Sequence, residues 1–302
     1  MPAWSLRDIP DLAGRTAIVT GGNAGLGFRS ALELARKGAA VTVACRSLEK
    51  GEAAAERIRA EVPAARLDAA ALDLTEPESI ERCAAEIAAR TDRLDILLNN
   101  AGVVSLETLQ HTAAGREMHM ATNHYGHFAL TGRLFGLLTA TPGARVVAVT
   151  SGGARFGTID FDDLDWRNRP YRRVRAYADS KLANLLFMRT LQGRFDAAGA
   201  EALSLAAHPG LTGTERQQSI GAGGLLSRLA ASSVETGVAP QLRAATDPAA
   251  ARRDFYGPRF GIRGWAHRLT VDDRAKDDSV AERLWRVTEE ITGVRYPASR
   301  TG

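Results

Sequence analysis

The sequence predicts an α/β protein built as a single domain around a doubly wound parallel sheet. Short apolar runs alternate with alanine-rich helical patterns over most of the 302 residues. Strands that are apolar without interruption are typical of a parallel sheet that helices cover on both faces. The first apolar run also ends in a cluster of glycines, a position where such a sheet opens onto a ligand crevice.

The predicted elements follow one another in the order that this fold requires. Strands are predicted at 16–20, 40–44, 66–72, 94–98, 145–149 and 202–207. Helices are predicted between and after them, at 28–37, 48–61, 79–90, 118–138 and 177–195. Right-handed crossovers between parallel strands then place the crevice beyond the carboxyl ends of the strands. The C-terminal part of the chain has weaker periodicity, and few elements are predicted there.

The composition is that of an ordinary globular protein and excludes several classes. Hydrophobic residues make up 45% and charged residues 25% of the chain. The two cysteines, Cys45 and Cys83, suggest neither a disulfide framework nor a metal-ligand cluster. No stretch is long and apolar enough to span a membrane, and the N-terminal residues lack the apolar core of a signal peptide. We therefore expect a cytoplasmic protein without a membrane partner.

Neither nucleic acid nor a metal ion is expected as a ligand. The formal net charge is +4, but the arginines are spread widely and no basic-aromatic pattern of a nucleic-acid reader is present. His119, His124 and His127 fall within one predicted helix, and no acidic or cysteine ligand is recognised that would complete a metal set. We expect these histidines to pack and to form hydrogen bonds.

Glycines occupy the turn between the first strand and the first helix in the pattern G-x-x-x-G-x-G. Glycine permits positive φ and a close approach of the backbone to a ligand, and a helix N-terminus offers free N–H groups to a pyrophosphate. A simple chain reversal is the alternative, which the strand–turn–helix context disfavours. The residues predicted to bind a dinucleotide here are Gly21, Asn23, Ala24, Gly25, Leu26 and Gly27.

The end of the second strand indicates which dinucleotide is bound. A carboxylate at this position would bind the ribose hydroxyls of NAD, whereas the sequence has Cys45, Arg46 and Ser47. An arginine can form charge-assisted hydrogen bonds with a 2′-phosphate, which a carboxylate would repel. Arg46 could also be an ordinary exposed arginine at a strand end. The missing acid and the arginine together favour NADP(H) over NAD(H), with Arg46 and Ser47 in contact with it.

Several further motifs occur in order between residues 12 and 214. They are TGGNAGLG at 20–27, DL at 73–74, NNAG at 99–102, Asn123, TS at 150–151, YADSK at 177–181 and HPG at 208–210. Together they resemble the short-chain dehydrogenase/reductase family, which has the Rossmann fold. The segments NHYGHFALTG at 123–132, YADSKLANLLF at 177–187 and AAHPGLTGT at 206–214 are most similar to its retinol dehydrogenase-like branch, which includes protochlorophyllide reductases. The chain shows neither an N-terminal membrane anchor nor a WW domain, so we expect a soluble member.

Tyr177 and Lys181 are one helical turn apart, so that an ammonium shares a helix face with a phenol. With an oxidised nicotinamide nearby, this charge should lower the pKa of Tyr177 from its ordinary value of about 10. The resemblance implies that Tyr177 is the general acid/base, that Ser151 holds the substrate oxygen and that Lys181 also binds the nicotinamide ribose. It implies that Asn123 positions a water in a proton relay. A surface pair and a helix-capping serine are the ordinary alternatives.

The resemblance also implies further contacts with the cofactor. Asp73 and Leu74 would hold the adenine. The cleft after the fourth strand would be lined by Asn100, Ala101 and Gly102. The nicotinamide carboxamide would lie beside Pro209, Gly210 and Thr212. The family transfers the pro-S hydrogen of the nicotinamide.

Two segments depart from the regular alternation. Residues 156–175 lengthen the connection between Ser151 and Tyr177, and we interpret them as a loop over the active-site mouth. Its arginines would form a solvated rim or attract an anionic substrate. The resemblance implies a substrate lid around 211–262. It also implies a homodimer or homotetramer that pairs through the long helices of Asn123 and Tyr177.

The leading prediction is an NADP(H)-dependent oxidoreductase that interconverts a carbonyl and an alcohol on a fairly apolar small-molecule substrate. Reduction of a carbon–carbon double bond is a second hypothesis, since Tyr177 and Lys181 would serve it as well. A catalytically silent cofactor-binding sensor is a third. The intact set of Asn123, Ser151, Tyr177 and Lys181 disfavours it, because a binding module has no need of all four.

Overall fold

The computed structural model describes residues 3–104, 106–210, 234–261 and 264–297. Within these ranges one sheet contains β1 (Thr16–Thr20), β2 (Ala40–Cys45), β3 (Leu67–Ala71), β4 (Ile96–Asn99), β5 (Arg145–Val149), β6 (Leu203–Ala207), β7 (Phe255–Pro258) and β8 (Ala266–Leu269). Its order is β3-β2-β1-β4-β5-β6-β7-β8, and the strands are parallel except for the β7–β8 pair at the edge. The predicted doubly wound α/β fold is confirmed.

Helices cover both faces of this sheet. They are α1 (Gly25–Arg36), α2 (Leu48–Glu61), α3 (Pro77–Arg90), α4 (Met118–Met120), α5 (Gly126–Arg133), α6 (Phe135–Ala140), α7 (Arg173–Ala197), α8 (Val234–Thr246) and α9 (Asp278–Thr292). A π-helical segment, Ala121–Tyr125, joins α4 to α5, and a 3₁₀ turn, Gly152–Phe156, follows β5. The core on one face is built around α3, α5, α7 and α9, and the core on the other around α1, α2 and α8. Within the described ranges no helix has the length and apolar character needed to cross a membrane.

The sheet topology determines where a ligand site can form. The winding of the chain reverses between β1 and β4, which pair in parallel at the centre of the sheet. In a doubly wound sheet the crevice lies beyond the carboxyl ends of the strands at this switch point. The glycine turn follows β1, Asn100 follows β4 and Ser151 follows β5. All three therefore open onto the same edge of the sheet.

Most of the predicted elements agree with the structure to within a few residues. The bounds of β1, β5 and α2 are those predicted, because each combines a clear period with a clear stop signal. The helix predicted at 118–138 is interrupted by the π segment and breaks again at Leu134. The strands β7 and β8 and the helices α8 and α9 were not predicted. β7 reads FYGP, and its glycine and proline are turn signals rather than strand signals.

Helices α5 and α7 leave no exposed face at the level of the site. Residues 126–131 of α5 and 178–188 of α7 are all buried. Helix α9 covers both: the ring of its Trp285 lies 5.8 Å from that of Phe187 and 4.7 Å from that of Phe128, measured between centroids. The pairing of two chains through these helices, which the resemblance implies, stays a prediction.

The substrate lid expected around 211–262 is too long at its C-terminal end. Helix α8 and strand β7 lie in this range, yet Leu242 and Tyr256 are 0% and 1% exposed. Strand β7 also pairs with β6 in the sheet. Elements that complete the sheet and cover one of its faces belong to the core and not to a lid. Residues 211–233, which include Thr212, lie outside the described residues.

Candidate active site

The turn after β1 leaves no room for side chains. Gly21 and Gly25 have φ angles of +66° and +55°, a region that favours glycine. A Cβ on Gly27 would lie 2.2 Å from the carbonyl oxygen of Gly21 and 2.6 Å from Nδ2 of Asn100. Gly27 thus allows α1 to begin directly against the turn and the end of β4. The backbone, rather than any side chain, shapes this part of the crevice.

The N-terminus of α1 is available to an anion. Its N-cap residue is Ala24, which makes no capping hydrogen bond with the described residues, and no acidic residue lies in the first turn. Ala24 and Gly25 are exposed, and Asn23 and Leu26 are half-buried beside them. The first N–H groups of a helix have no partner within it and carry positive potential. The residues of the turn therefore fit a pyrophosphate.

Thr20, the last residue of β1, ties the glycine turn to the neighbouring elements. Its hydroxyl oxygen accepts hydrogen bonds from the N–H groups of Asn100 and Ala101, each at 2.9 Å. The same oxygen lies 2.9 Å from Nε2 of His127, whose Nδ1 lies 3.0 Å from the Asn123 carbonyl oxygen. Since a carbonyl can only accept, His127 carries its proton on Nδ1 and accepts the Thr20 hydroxyl proton at Nε2. Burial lowers the pKa of His127 to about 4, so the ring is neutral.

Asn100 holds the turn together by its side chain. Its Nδ2 donates to the carbonyl of Thr20 at 2.8 Å, and its Oδ1 accepts from Nε2 of Gln241 in α8 at 3.3 Å. Gln241 also donates to Oγ of Ser30 in α1 at 2.7 Å. Asn100 therefore connects β1, β4 and α8 around the turn, and its neighbours Ala101 and Gly102 are half-buried at the end of β4.

Arg46 follows β2 at the rim of the crevice and is exposed. It forms no hydrogen bond or ion pair with the other described residues. Ser47 caps α2: its hydroxyl oxygen accepts from the N–H of Lys50 at 3.2 Å and keeps its own proton to donate. The end of β2 therefore has an exposed guanidinium that no other described residue binds, and it has no carboxylate. This combination fits an anionic group such as a 2′-phosphate.

Asp73 and Leu74, after β3, have different environments. Oδ1 of Asp73 accepts hydrogen bonds from the N–H and the hydroxyl of Thr75, at 2.9 and 2.7 Å. Asp73 is half-buried and keeps its second carboxylate oxygen for a ligand. Leu74 is buried, and a Cβ on Gly126 would lie 2.2 Å from its carbonyl oxygen. Leu74 thus packs against α5, which is a role in the core.

Asn123 lies in the π-helical segment, a form of helix that is frequent at functional sites. Its Oδ1 accepts from the N–H of Val103 at 2.7 Å. Its Nδ2 donates to the Val103 carbonyl at 3.1 Å and to Oγ of Ser180 at 2.9 Å. A Cβ on Gly102 would lie 2.9 Å from Oδ1 of Asn123 and 3.5 Å from Nζ of Lys181. Gly102 therefore allows the loop after β4 to approach both side chains.

Lys181 is buried and directed at the end of β5. Its Nζ donates to the carbonyl of Val149 at 3.0 Å, and Nδ2 of Asn184 donates to the same oxygen at 3.0 Å. The Nζ atom lies 5.7 Å from the ring centroid of Tyr177. Burial lowers the pKa of Lys181 to about 7, because the ammonium loses its hydration. The amine can therefore gain and lose a proton near neutral pH.

Ser151 and Tyr177 meet beyond the end of β5. Ser151 begins the 3₁₀ turn, and its Oγ accepts from the N–H of Gly153 at 3.1 Å. Tyr177, in the first part of α7, is half-buried, and the nearby Ser151 side chain lowers its pKa against the effect of burial. The structure thus brings all four predicted catalytic residues, Asn123, Ser151, Tyr177 and Lys181, to one edge of the sheet.

Burial governs the pKa of Tyr177 among the described residues. It raises the pKa of Tyr177 above its ordinary value, and the side chain of Ser151 opposes this increase. Burial also lowers the pKa of Lys181, whose Nζ is directed to Val149. The i, i+4 spacing did not reveal how deeply both groups are buried, and a lowering of the Tyr177 pKa by Lys181 together with an oxidised nicotinamide stays a prediction.

The motif after β6 turns back against the serine. Gly210 has a φ of +74°, and its N–H donates to Nδ1 of His208 at 3.1 Å. His208 is buried, and a Cβ on Gly152 would lie 3.5 Å from its ring. Pro209 and Gly210, the next two residues of the chain, are half-buried. Thr212, predicted to join them, is outside the described residues.

The histidines of residues 118–138 pack and form hydrogen bonds, as expected. Nε2 of His124 lies 3.1 Å from Oγ1 of Thr288 in α9, and burial lowers the pKa of His124 to about 3. His119 has an acidic neighbour that was not recognised from the sequence, since Nδ1 lies 2.6 Å from a carboxylate oxygen of Glu117. In the part of the chain that the structure describes, no group of three or more His, Cys, Asp or Glu side chains could hold a metal ion.

The loop at 156–175 is docked onto the protein. The guanidinium of Arg169 lies 3.8 Å from the ring centroid of Trp166 and 3.6 Å from a carboxylate oxygen of Asp179 in α7. Arg167 donates a hydrogen bond to the carbonyl of Gly115. Two of the loop's arginines therefore hold the loop in place, and the interpretation of the whole set as a solvated rim is wrong for them.

The comparison with known families shows which family the chain belongs to. A model of the short chain dehydrogenase family matches residues 15–223, more than half of the chain. The chain is a short-chain dehydrogenase. Proteins of this family are NAD(P)-dependent oxidoreductases, and the described crevice offers a backbone cradle that fits the pyrophosphate of such a cofactor.

Curated relatives place this short-chain dehydrogenase in the retinol dehydrogenase-like branch. Retinol dehydrogenase 13 from Homo sapiens is 37% identical over 298 residues, which cover 96% of this chain and 88% of the relative. Retinol dehydrogenase 12 from Homo sapiens is 38% identical over 288 residues, which cover 94% and 88%. Both similarities extend well beyond the motifs and support oxidoreduction between carbonyl and alcohol.

Solved structures agree with this assignment. An uncharacterized protein from Mycobacterium Paratuberculosis has a TM-score of 0.83 and 38% identity, with 98% of this chain and 100% of that chain covered. An NAD(P) dependent gluconate 5-dehydrogenase from Beutenbergia cavernae, which has NADP bound, has a TM-score of 0.66 and 25% identity, with 82% and 96% covered.

Two polar residues of the dehydrogenase site were not predicted from the sequence. Thr20 and His127 link the glycine turn to the Asn123 carbonyl. The position of His127, one helical turn after Asn123, was a signal for this link. The signal alone was insufficient, because the partner on β1 is distant in the sequence.

Proposed function

We propose that this short-chain dehydrogenase uses NADP(H) to interconvert a carbonyl and an alcohol on a fairly apolar substrate, with Tyr177 as the general acid/base. The observation that carries the proposal is the meeting of Tyr177, Ser151 and Lys181 at the sheet edge where the glycine turn lies. Reduction of a carbonyl develops negative charge on its oxygen, which needs a proton donor and a hydrogen-bonding partner. A bound nicotinamide supplies the hydride.

The side chains divide this work by their chemistry. In reduction Tyr177 donates its proton to the substrate oxygen, while the hydroxyl of Ser151 holds that oxygen in place. The Lys181 amine, whose pKa is lowered to about 7, takes up a proton as phenolate forms, and the ammonium then stabilises the phenolate. Oδ1 of Asn123 keeps one lone pair, which can hold a water that relays this proton. Oxidation of an alcohol uses the same steps in reverse.

The preference for NADP(H) rests on Arg46. Its guanidinium is exposed beside the turn that follows β1, and no described residue pairs with it. The uncapped N-terminus of α1 supports binding of the pyrophosphate by the backbone of 21–27. The neighbouring Ser47 and the free carboxylate oxygen of Asp73 support contacts with the adenosine moiety.

An apolar substrate is supported by exposed aromatic side chains near Ser151. Phe156, at the end of the 3₁₀ turn, is 52% exposed, and Phe260 and Trp265 are 64% and 40% exposed. The rings of Phe260 and Trp265 lie 5.9 Å apart. Gly261, the residue after Phe260, lies close to this 3₁₀ turn. Its carbonyl oxygen would be 3.9 Å from a Cβ on Gly152. Exposed aromatic residues beside a catalytic crevice suit an apolar ligand, as do the names of the human relatives.

Reduction of trans-cinnamaldehyde with NADPH tests the proposal, because this probe carries both a carbonyl and a carbon–carbon double bond. We expect cinnamyl alcohol as the product and a loss of turnover for Ser151→Ala and Tyr177→Phe. Hydrocinnamaldehyde as the product would instead support the double-bond hypothesis. The protein could instead bind NADPH tightly and leave it unoxidised in the presence of trans-cinnamaldehyde, all-trans-retinal or nonanal. That result would support the sensor hypothesis and contradict the proposal.

A further inference from the structure

A buried histidine–carboxylate pair lies next to Tyr177 and has no part in the proposed chemistry. Glu117 and His119 are both 0% exposed, and Nδ1 of His119 lies 2.6 Å from Oε1 of Glu117. The imidazole ring meets the ring of Tyr177 edge-on, with the centroids 6.0 Å apart and the planes at 68°. The other groups that face Tyr177 are the side chain of Ser151 and the Nζ atom of Lys181 at 5.7 Å.

The hydrogen bonds at both ends of His119 fix the orientation of its ring. The N–H of Leu106 donates to Nε2 at 3.3 Å, so Nε2 carries no proton. Nδ1 must then donate its proton to Glu117. The second carboxylate oxygen of Glu117 accepts from the N–H of Met120 at 2.8 Å, which caps α4. A buried carboxylate is costly unless hydrogen bonds satisfy it, and here both oxygens have donors.

The loop between the 3₁₀ turn and α7 holds this pair from outside. Oδ1 of Asp165 accepts from the N–H of Glu117 at 2.9 Å, and Oδ2 of Asp165 pairs with Arg116 at 3.0 Å. The hydroxyl of Tyr171 donates to the carbonyl of Leu106 at 3.1 Å, next to the bond that reaches His119. Each contact connects the loop to the segment that carries the pair. The docked loop and the ring against Tyr177 therefore form one continuous support.

We propose that Glu117 and His119 are positioning residues for the phenol of Tyr177, and that the long loop before α7 serves to keep them in place. His119 acts through its ring on Tyr177 and touches neither cofactor nor substrate. Glu117 acts through His119, since its carboxylate sets the proton position and the orientation of the ring. This inference rests on the proposed function, because it gives the pair a purpose only if Tyr177 takes part in the reaction.

Two substitutions disturb the pair in different ways. Glu117→Gln replaces one oxygen by an amino group, so that either the Met120 N–H or the His119 Nδ1–H faces another donor. His119→Asn retains a donor for Glu117 and the cap on α4 but removes the ring, so it remains informative if Glu117→Gln fails to fold. Thr288→Val is the matched control, because it removes the hydroxyl partner of another buried histidine, His124, on the side of α9.

We expect Glu117→Gln and His119→Asn to lower kcat for trans-cinnamaldehyde roughly ten- to hundredfold, with the Kd for NADPH unchanged. A second readout needs no substrate. Ultraviolet difference titration, with the Tyr177→Phe spectrum subtracted, follows the phenolate of Tyr177 alone. Burial raises the pKa of Tyr177, so a loosened ring that admits water should shift this titration to lower pH. Thr288→Val should reduce thermal stability and change neither readout.

A purely structural role would give a different result. Both variants would then lose thermal stability, while kcat per folded molecule and the titration of Tyr177 stayed native, which would overturn the inference. The proposed function has its own separate test: if Tyr177→Phe is as active as the native protein, that proposal fails. If Tyr177→Phe is inactive and both pair variants are fully active, only the positioning role is contradicted.

Discussion

The two sides of the crevice are built by different means. On the side of β1 and α1, glycines bring backbone against backbone, with Gly27 directly on Gly21, and the helix terminus is left uncapped. On the side of α7 the working groups are buried side chains, among them Lys181 and Asn123, which are 4% and 0% exposed. Hydrogen bonds to the end of β5 and to the loop after β4 hold them.

Substitutions on the two sides of the crevice should therefore change different properties of the protein. Where the backbone shapes the site, an added side chain alters the shape that a dinucleotide meets, so binding suffers first. Where buried side chains do the chemistry or pack beside it, the rate or the stability suffers first, because desolvation has displaced the pKa values of Lys181 and of Asp179 in the same helix. The four substitutions below, two on each side, test this division.

Lys181→Met should have the largest effect. The variant keeps the length of the buried side chain and removes the amine that we assign to the proton transfer from Tyr177. We expect kcat for trans-cinnamaldehyde to fall about a thousandfold, with a rise of only a few-fold in the Kd for NADPH. Steady-state kinetics and a fluorescence titration measure the two quantities. A large rise in Kd with a native kcat would place Lys181 on the binding side instead.

Asp179→Asn should change how stability depends on pH. Burial raises the pKa of Asp179 to about 6 from 3.8, against the opposing hydrogen bond from the Thr158 N–H and the charge of Arg169. The folded state therefore holds this proton more tightly, so the stabilisation is complete below about pH 4 and is lost as the pH rises through 6. The two-unit shift corresponds to about 3 kcal/mol.

Urea unfolding of Asp179→Asn between pH 4 and 7 measures this effect. The asparagine can still accept from the Thr158 N–H, so the variant should fold and should lack the decline in the free energy of unfolding. The control is Asp68→Asn, at an exposed position of β3, and this variant should keep the native pH dependence. A decline of native size in Asp179→Asn would show that other groups cause it.

Gly27→Ala should weaken cofactor binding. Its Cβ would lie 2.2 Å from a backbone oxygen that cannot move away freely. Strain of about 1–3 kcal/mol corresponds to a rise of roughly tenfold to a hundredfold in the Kd for NADPH. Gly136→Ala is the matched control, because that glycine is exposed in α6 with nothing within 4 Å of its added Cβ. A native Kd for Gly27→Ala would mean that the turn does not shape the dinucleotide site.

Arg46→Ala should have the smallest effect and should depend on the cofactor. Loss of an exposed charged hydrogen bond should lower kcat/KM for NADPH about tenfold and leave the value for NADH unchanged. Kinetics with both cofactors measure the ratio, and Arg82→Ala, exposed on α3, serves as the control. Equal losses with NADPH and NADH would remove the basis for the preference.

Sequence patterns predicted the sheet and the gathering of the motifs for the same physical reason. A buried parallel strand such as β5 is a continuous apolar run, and each motif follows the carboxyl end of a strand, so the fold itself brings Ser151 and the glycine turn to one edge. The π segment was not predictable in this way, because one extra residue per turn leaves the apolar periodicity of 118–138 almost unchanged.

The partners of the site residues could not be predicted, because they depend on packing between distant segments. Glu117 lies beside His119 in the sequence, yet only the docking of the later loop shows that both are buried against Tyr177. The burial that raises the pKa of Tyr177 was not predicted for a related reason. Spacing reveals which groups share a helix face, whereas burial depends on the covering elements, here including α9 over α7.

Transfer of deuterium from labelled NADPH tests the central claim, the role of Tyr177, most directly. In a single turnover with trans-cinnamaldehyde and NADPH deuterated at the pro-S position, the native protein should form cinnamyl alcohol with deuterium on the alcohol carbon. Tyr177→Phe should bind the cofactor with native affinity and transfer deuterium about a thousandfold more slowly. Transfer at the native rate by Tyr177→Phe would contradict the account.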